Sequence, residues 1–124
     1  MRIVEGRVGQ IIFWNDQIVI MRVQSDVDID FESAKRSHLL VADSMSGDYG
    51  LLVDHSTDFS IPTVELMTFL NGIDKLRAIA VTCKRESTRV ALGISQHLFA
   101  RPYEFFDNDE AALTWLDSLL QKPE

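Results

Sequence analysis

One short apolar run near the middle of the chain most constrains the fold. Residues Gly50–Asp54 read GLLVD, without the alternation of polar and apolar residues that marks a half-exposed strand. A strand of this kind is typical of a parallel sheet that is covered on both faces. The residues that follow, up to Asn71, predict a polar loop and then an apolar helix from about Thr63.

Further strand patterns lie on both sides of this run. In chain order they are Gln10–Trp14, Gln17–Val23, Leu76–Thr82 and Tyr103–Phe106. The first two are separated by Asn15 and Asp16, and this two-residue gap predicts an antiparallel hairpin. Ile3–Val8 alternates weakly and could be a strand or an ordered arm.

Four helices are predicted between and after these strands. They run from Asp28 or Asp30 to about Ser44, over 63–71, from Ser87 or Thr88 to about Phe99, and from Asp107 or Asn108 almost to the end. In the third helix four apolar residues share one face: Val90, Ala91, Ile94 and Leu98. Leu92 and Phe99 lie off that face, and whether they are exposed is left open.

The order of these elements predicts one α/β domain over residues 1–124. A hairpin is followed by alternating helices and strands, which gives a mostly parallel sheet of four to five strands with about four helices. The single cysteine, Cys83, excludes an internal disulfide and is expected to be a small buried hydrophobic residue.

Charge and hydropathy exclude two classes of partner. Lys and Arg number 12 and Asp and Glu number 19, so the net charge is −7. This charge repels phosphate backbones, and we expect no nucleic-acid partner. No run approaches the roughly 20 apolar residues that span a bilayer, and the N-terminus does not read as a signal peptide. We therefore expect a cytoplasmic protein that does not insert into membranes.

Four segments resemble one known group of bacterial domains. They are 9–14 (GQIIFW), 51–54 (LLVD), 78–81 (AIAV) and 105–116 (FFDNDEAALTWL), the last being the most specific. In this order they resemble the STAS and SpoIIAA-like group, also described as STAS/SEC14-like small domains. The resemblance covers nearly the whole chain. It implies a non-enzymatic domain that works through protein contacts or by binding a small ligand. No cofactor is predicted.

The anti-sigma-factor antagonists of this group carry a phosphorylated serine. It lies in an Asp-Ser-x-Gly-like turn that opens the helix after the third strand. The matching residues here, 60–64, read SIPTV and lack both the Asp-Ser pair and the glycine. By position, Ser60 and Thr63 are the phospho-switch candidates that the resemblance implies.

The loop and helix after Gly50–Asp54 form a candidate interaction surface. Ligand sites in an open α/β sheet lie outside the carboxyl ends of the strands, where this loop is expected. The candidates are His55, Ser56 and Thr57 in the loop and Leu66 and Phe69 in the helix. The helix is apolar nearly all round, so part of it is expected to stay exposed or to meet a partner. Covering by neighbouring helices is the alternative.

Residues 83–89 form the most basic patch of the chain. Lys84, Arg85 and Arg89 lie beside a predicted helix N-terminus together with the hydroxyl of Ser87. Such a patch is a candidate site for a phosphate or for a partner's carboxylate. The same residues are also typical of a solvated helix entry.

The histidines give weaker indications. His38, His55 and His97 lack metal-ligand spacing, so no metal site is predicted. An enzyme that uses His55 is conceivable, but adjacent side chains point in different directions and form no triad by themselves. No Gly-x-Ser-x-Gly motif is present.

Three functions follow from the sequence. The first is a non-enzymatic regulatory domain that binds another protein or a second copy of itself through residues 54–71 and the basic patch. The second is a carrier of a small apolar ligand or lipid, as the SEC14-like resemblance implies. The third and weakest is an enzyme using His55.

Overall fold

Strands and helices alternate along the chain in the computed structural model, which describes residues 1–6, 9–23, 27–55 and 59–121. The described strands are β1 Arg2–Glu5, β2 Gly9–Phe13, β3 Ile18–Val23, β4 Val27–Asp28, β5 Tyr49–Asp54, β6 Phe59–Ser60, β7 Leu76–Thr82 and β8 Tyr103–Phe106. The described helices are α1 Phe31–Ser44, α2 Thr63–Asn71, α3 Glu86–Leu98 and α4 Asp109–Leu120. None of these helices is both long and apolar enough to cross a membrane.

Six of the described strands form the main sheet, in the order β1-β2-β3-β5-β7-β8. The first three are antiparallel, and β3, β5, β7 and β8 are parallel to one another. The predicted hairpin and the mostly parallel sheet are therefore confirmed. The predicted count of four to five strands is too low, because Arg2–Glu5 pairs with β2 as an additional edge strand. Strands β4 and β6 form a separate parallel pair.

Polar side chains mark the predicted turn between β2 and β3 and the predicted starts of two helices. The Asn15 carboxamide oxygen accepts from the backbone N–H of Ile18 at 2.8 Å in the turn between β2 and β3. Asp30 caps α1 by accepting from a backbone N–H three residues further on at 2.7 Å. Asn108 caps α4 in the same way at 2.8 Å. Each side chain satisfies a backbone donor that the adjoining helix or strand leaves unpaired.

Helix α4 packs closely on one face of the main sheet. On this face the central strands carry Gly50, Ala78 and Ala80 beside larger residues such as Leu52. These small residues lie close to Ala112 and Leu116 of α4. A Cβ atom on Gly50 would lie 2.8 Å from Leu116 Cδ2. The absence of that atom allows the helix to approach the centre of the sheet.

The opposite face of the sheet is covered by α1, α2 and α3. Its strands present apolar side chains there, including Met21, Leu51 and Ile79. Helices α1 and α2 contact each other, while their backbones stay farther from the strands than the backbone of α4 does. This separation leaves space between the two helices and the sheet.

The orientation of α2 differs in part from the expectation. Leu66, a candidate for the interaction surface, is 5% exposed and packs in the core with Met67, so at this residue the alternative of covering by neighbouring elements holds. Phe69 is half-buried and meets Phe31 of α1 edge-to-face, with ring centroids 6.1 Å apart. The exposed apolar residue of α2 is Val64.

The apolar face predicted on α3 is turned to solvent. Val90 is 71% exposed and Ile94 is 51% exposed. The buried stripe consists of Leu92, Ser95 and Phe99, spaced three and four residues apart. Phe99 lies against Tyr103 of β8, with ring centroids 6.4 Å apart. Contacts with both α2 and β8 thus determine which side of α3 is buried.

Candidate functional site

A cavity of about 480 Å³, here called the helix-side cavity, lies between the sheet and the helices α1 and α2. Its wall is mainly apolar: Val4, Ile11, Met21, Leu51, Val53, Ile79 and Val81 from the strands, with Ala34, Leu66, Met67 and Leu70 from the helices. Exposed Glu5, Arg36 and Leu40 also line it, so the cavity reaches the surface beside β1 and α1. A volume of roughly 300–1,000 Å³ is typical of sites for small molecules.

His38 supplies a buried polar group to this wall. It continues the buried stripe of α1 with Ala34 and Val41, and it is 6% exposed. Burial lowers the pKa of His38 to about 4, so the imidazole is neutral at neutral pH. Among the residues that the structure describes, none forms a hydrogen bond with its ring. The ring nitrogens are not among the fully buried unpaired polar atoms of the described residues, so they border the open space of the cavity.

His55 is the second imidazole on the wall and follows the carboxyl end of β5. Its backbone N–H donates to the carbonyl oxygen of Thr82 at 2.8 Å, which continues the pairing of β5 with β7. Burial lowers the pKa of His55 to about 4, and the charge of Asp54 opposes this shift. The prediction that His55 belongs to an exposed interaction surface is wrong, because its side chain is buried. Ser56 and Thr57, predicted with it, lie outside the described residues.

Arg22 joins the ends of two strands to the start of α4. Its Nη1 donates to Asp54 Oδ2 at 2.5 Å and its Nη2 donates to Asp109 Oδ2 at 2.8 Å. The hydrogen bond with Asp109 raises the pKa of Arg22 above its ordinary value. Arg22 also lines the helix-side cavity, but both terminal nitrogens of its guanidinium group donate to these two carboxylates. Sequence reasoning missed this cluster because its members lie far apart in the chain.

The basic residues predicted as an anion site lie at the N-terminus of α3. Lys84, Arg85 and Ser87 are exposed there, and Arg89 Nη2 donates to Asp107 Oδ1 at 3.1 Å. Lys84 shares a small depression with three carboxylates. These carboxylates repel an anion, so the structure supports anion binding here less strongly than the basic sequence alone does. Anion binding here stays a prediction.

The two phospho-switch candidates lie in different settings. The Ser60 hydroxyl donates to Asp28 Oδ1 at 2.5 Å, so a phosphate on Ser60 would face a carboxylate. Thr63 is the first residue of α2, whose N-cap, Pro62, makes no side-chain hydrogen bond. A helix N-terminus favours negative charge, and Thr63 is therefore the better placed of the two. The switch itself stays a prediction.

Cys83 is buried, as the sequence predicts. Within the described ranges, no three His, Cys, Asp or Glu side chains come together in a way that could hold a metal ion. The helix-side cavity is the feature that sequence reasoning did not find. A signal for it was available in α1, where His38 interrupts an otherwise apolar buried stripe.

The strand order and the placement of the helices define an α/β protein with a SpoIIAA-like fold, as the sequence predicts. The structure is similar to that of an uncharacterized protein from the DUF3478 family, with a SpoIIAA-like fold, from Shewanella loihica PV-4. The TM-score is 0.61 at 13% sequence identity, over 93% of this chain and 90% of that chain. At this identity the similarity concerns the fold alone. No protein-family model and no curated protein matches the chain.

Proposed function

We propose that this protein is a non-enzymatic domain that binds a small apolar molecule in the helix-side cavity. The observation that carries the proposal is the cavity itself, with its volume of about 480 Å³ and its mainly apolar wall. An engineered protein cavity of about 150 Å³ holds benzene, so the helix-side cavity has room for roughly 20 non-hydrogen atoms. The SEC14-like resemblance of the sequence implies the same kind of ligand.

The chemistry of the wall supports binding better than catalysis. Its two imidazoles, His38 and His55, have pKa values lowered to about 4 by burial. A general base works best when its pKa lies near the working pH. Both groups are therefore weak bases at neutral pH, which supports a role in recognition.

A fluorescence titration with diphenylhexatriene tests this function. This hydrocarbon probe fluoresces in apolar surroundings and is close in size to the cavity. We expect saturable binding with one probe per chain. Ala34→Phe fills the cavity from α1 and is expected to weaken binding at least tenfold. Ala111→Phe, at an exposed alanine on α4, is the matched control and is expected to bind normally.

Two results would contradict the binding function. One is the absence of saturable probe binding by the unaltered protein. The other is equal affinity in Ala34→Phe and Ala111→Phe, which would locate the probe elsewhere. Circular dichroism of both variants checks that the added ring leaves the fold intact.

A protein-contact role is the second candidate, and the exposed face of α3 favours it. Val90, Ile94 and Leu98 are exposed at four-residue spacing and form one apolar stripe. We propose a second copy of the chain as the partner, because a two-fold contact can bury the same stripe of both copies.

Light scattering after size-exclusion chromatography measures this association directly. A dimer is expected for the unaltered protein and a monomer for Ile94→Lys, while Ala111→Lys is expected to remain dimeric. If the unaltered protein has the molar mass of a monomer even at high concentration, the homodimer is contradicted.

A further inference from the structure

His38 places an unpaired imidazole on the wall of a cavity that is otherwise mainly hydrocarbon. Its side chain is 6% exposed, and no described residue hydrogen-bonds to its ring. It lies one helical turn from Ala34, which lines the same cavity. A hydrogen bond from a partner to such a polar group stabilises the complex. A ligand with one suitably placed polar group would be such a partner.

The charged residues around the cavity favour an uncharged polar group on the ligand. Two cationic side chains line the cavity in the part of the chain that the structure describes, Arg22 and Arg36. Arg22 is engaged with Asp54 and Asp109. Arg36 is exposed at the opening. A carboxylate or phosphate carried inside would lose its hydration without meeting a free cation, which is costly.

We propose that the ligand of the helix-side cavity is a hydrocarbon molecule with one uncharged hydroxyl or carbonyl group, and that His38 is the hydrogen-bond partner of this group. The proposal rests on the proposed binding function, and it adds the chemical class of the ligand and the residue that recognises it. A neutral imidazole donates from one ring nitrogen and accepts at the other, so it pairs with either group. The hydrocarbon part lies against the apolar wall near Leu51 and Ile79.

The test compares tetradecanol with tetradecanoate, two probes of equal chain length that differ in the charge of the head group. Each displaces diphenylhexatriene from the unaltered protein, from His38→Leu and from His38→Gln. Tetradecanol is expected to bind at least tenfold more tightly than tetradecanoate. His38→Leu is expected to weaken tetradecanol binding about fivefold to tenfold, as for the loss of one hydrogen bond. The affinity of diphenylhexatriene, which has no polar group, is expected to be unchanged, and His38→Gln is expected to restore part of the tetradecanol affinity.

The outcomes separate this proposal from the binding function beneath it. Equal tetradecanol affinity in the unaltered protein and His38→Leu, with normal diphenylhexatriene binding, overturns the role of His38 alone. Tighter binding of tetradecanoate overturns the uncharged class. Failure of the unaltered protein to bind any probe overturns both proposals. If a variant does not fold, NMR of the unaltered protein provides the test. The resonances of the His38 ring protons are expected to shift when tetradecanol binds, and unchanged resonances would overturn the role of His38.

Discussion

Lys75 caps the C-terminus of α1, with its Nζ donating to the carbonyl oxygen of Met45 at 2.8 Å. The same ammonium group donates to the carbonyl oxygen of Ala42 at 2.6 Å. The last turn of α1 has no basic residue of its own, so Lys75 supplies the positive charge that favours this end of a helix. Since Lys75 directly precedes β7, the cap fixes the outer wall of the helix-side cavity to the sheet.

Replacing Lys75 with Met is therefore expected to lower the free energy of unfolding by about 1–2 kcal/mol, because two hydrogen bonds to a charged donor are lost. Urea denaturation measures the change. Lys84→Met, at an exposed lysine, is the control and is expected to stay within about 0.5 kcal/mol of the unaltered protein. Equal losses in the two variants would contradict the capping role.

Gly9 is expected to tolerate no side chain. A Cβ atom there would lie 1.9 Å from the carbonyl oxygen of Arg22 on β3, and this backbone atom cannot move without separating the paired strands. Gly9→Ala is expected to cost about 2–3 kcal/mol in the free energy of unfolding. Gly47→Ala is the matched control, because a Cβ atom at Gly47 meets nothing within 4 Å. Equal free energies of unfolding for Gly9→Ala and Gly47→Ala would contradict this prediction.

Stability is expected to fall as the pH is lowered from about 6.5 to about 4. Burial lowers the pKa values of His38 and His55 from 6.5 to about 4. Between these values the unfolded chain binds protons that the folded chain does not, so acid favours unfolding. Each histidine contributes about 3 kcal/mol to this loss, which is complete below the folded pKa.

Urea denaturation at a series of pH values measures the slope. Carboxylates titrate near the lower end of the range, so the comparison with His38→Leu isolates the imidazole. The variant is expected to lose less stability across the range, because one of the two histidine contributions is removed. Identical pH profiles for the two proteins would contradict the assignment.

The N-cap of α4 gives a fourth prediction. Asn108→Ala removes the hydrogen bond from the backbone N–H of Ala111 and is expected to cost about 1 kcal/mol. Asn108→Asp keeps an acceptor at the same place and is expected to retain most of the stability. Thermal denaturation compares the two variants, and a similar loss in both would show that the cap oxygen is not the stabilising group.

Local sequence patterns predicted the elements well because short-range features set their limits. The predicted strands Leu76–Thr82 and Tyr103–Phe106 and the predicted helix 63–71 agree with the structure residue for residue. Pro62 and Asn108 mark helix starts through their own backbone or side-chain chemistry. Such features need no knowledge of the rest of the fold.

The buried side of α3 could not be predicted in this way. Its exposed stripe, containing Val90 and Ile94, is more apolar than the buried stripe, which includes Ser95. The choice between them depends on two neighbouring elements, α2 and β8, and Phe99 packs against Tyr103 of β8. Periodicity locates two stripes on a helix but does not say which one meets a neighbouring element.

The helix-side cavity could not be predicted from the sequence either. An apolar residue such as Leu51 or Met67 gives the same pattern whether it touches another side chain or borders an open space. The space depends on how far α1 and α2 stand from the sheet, and this distance is set by contacts between distant segments, including the cap by Lys75.

The contrast between the two faces of the sheet has a consequence for evolution. Beneath α4, a single added methyl at Gly50 would collide with Leu116. On the other face, Ala34 and Met67 border an internal space, so an exchange at either residue changes the shape of that space. Substitutions on the cavity wall can therefore change the shape of the cavity one residue at a time, while the tightly packed face beneath α4 preserves the architecture.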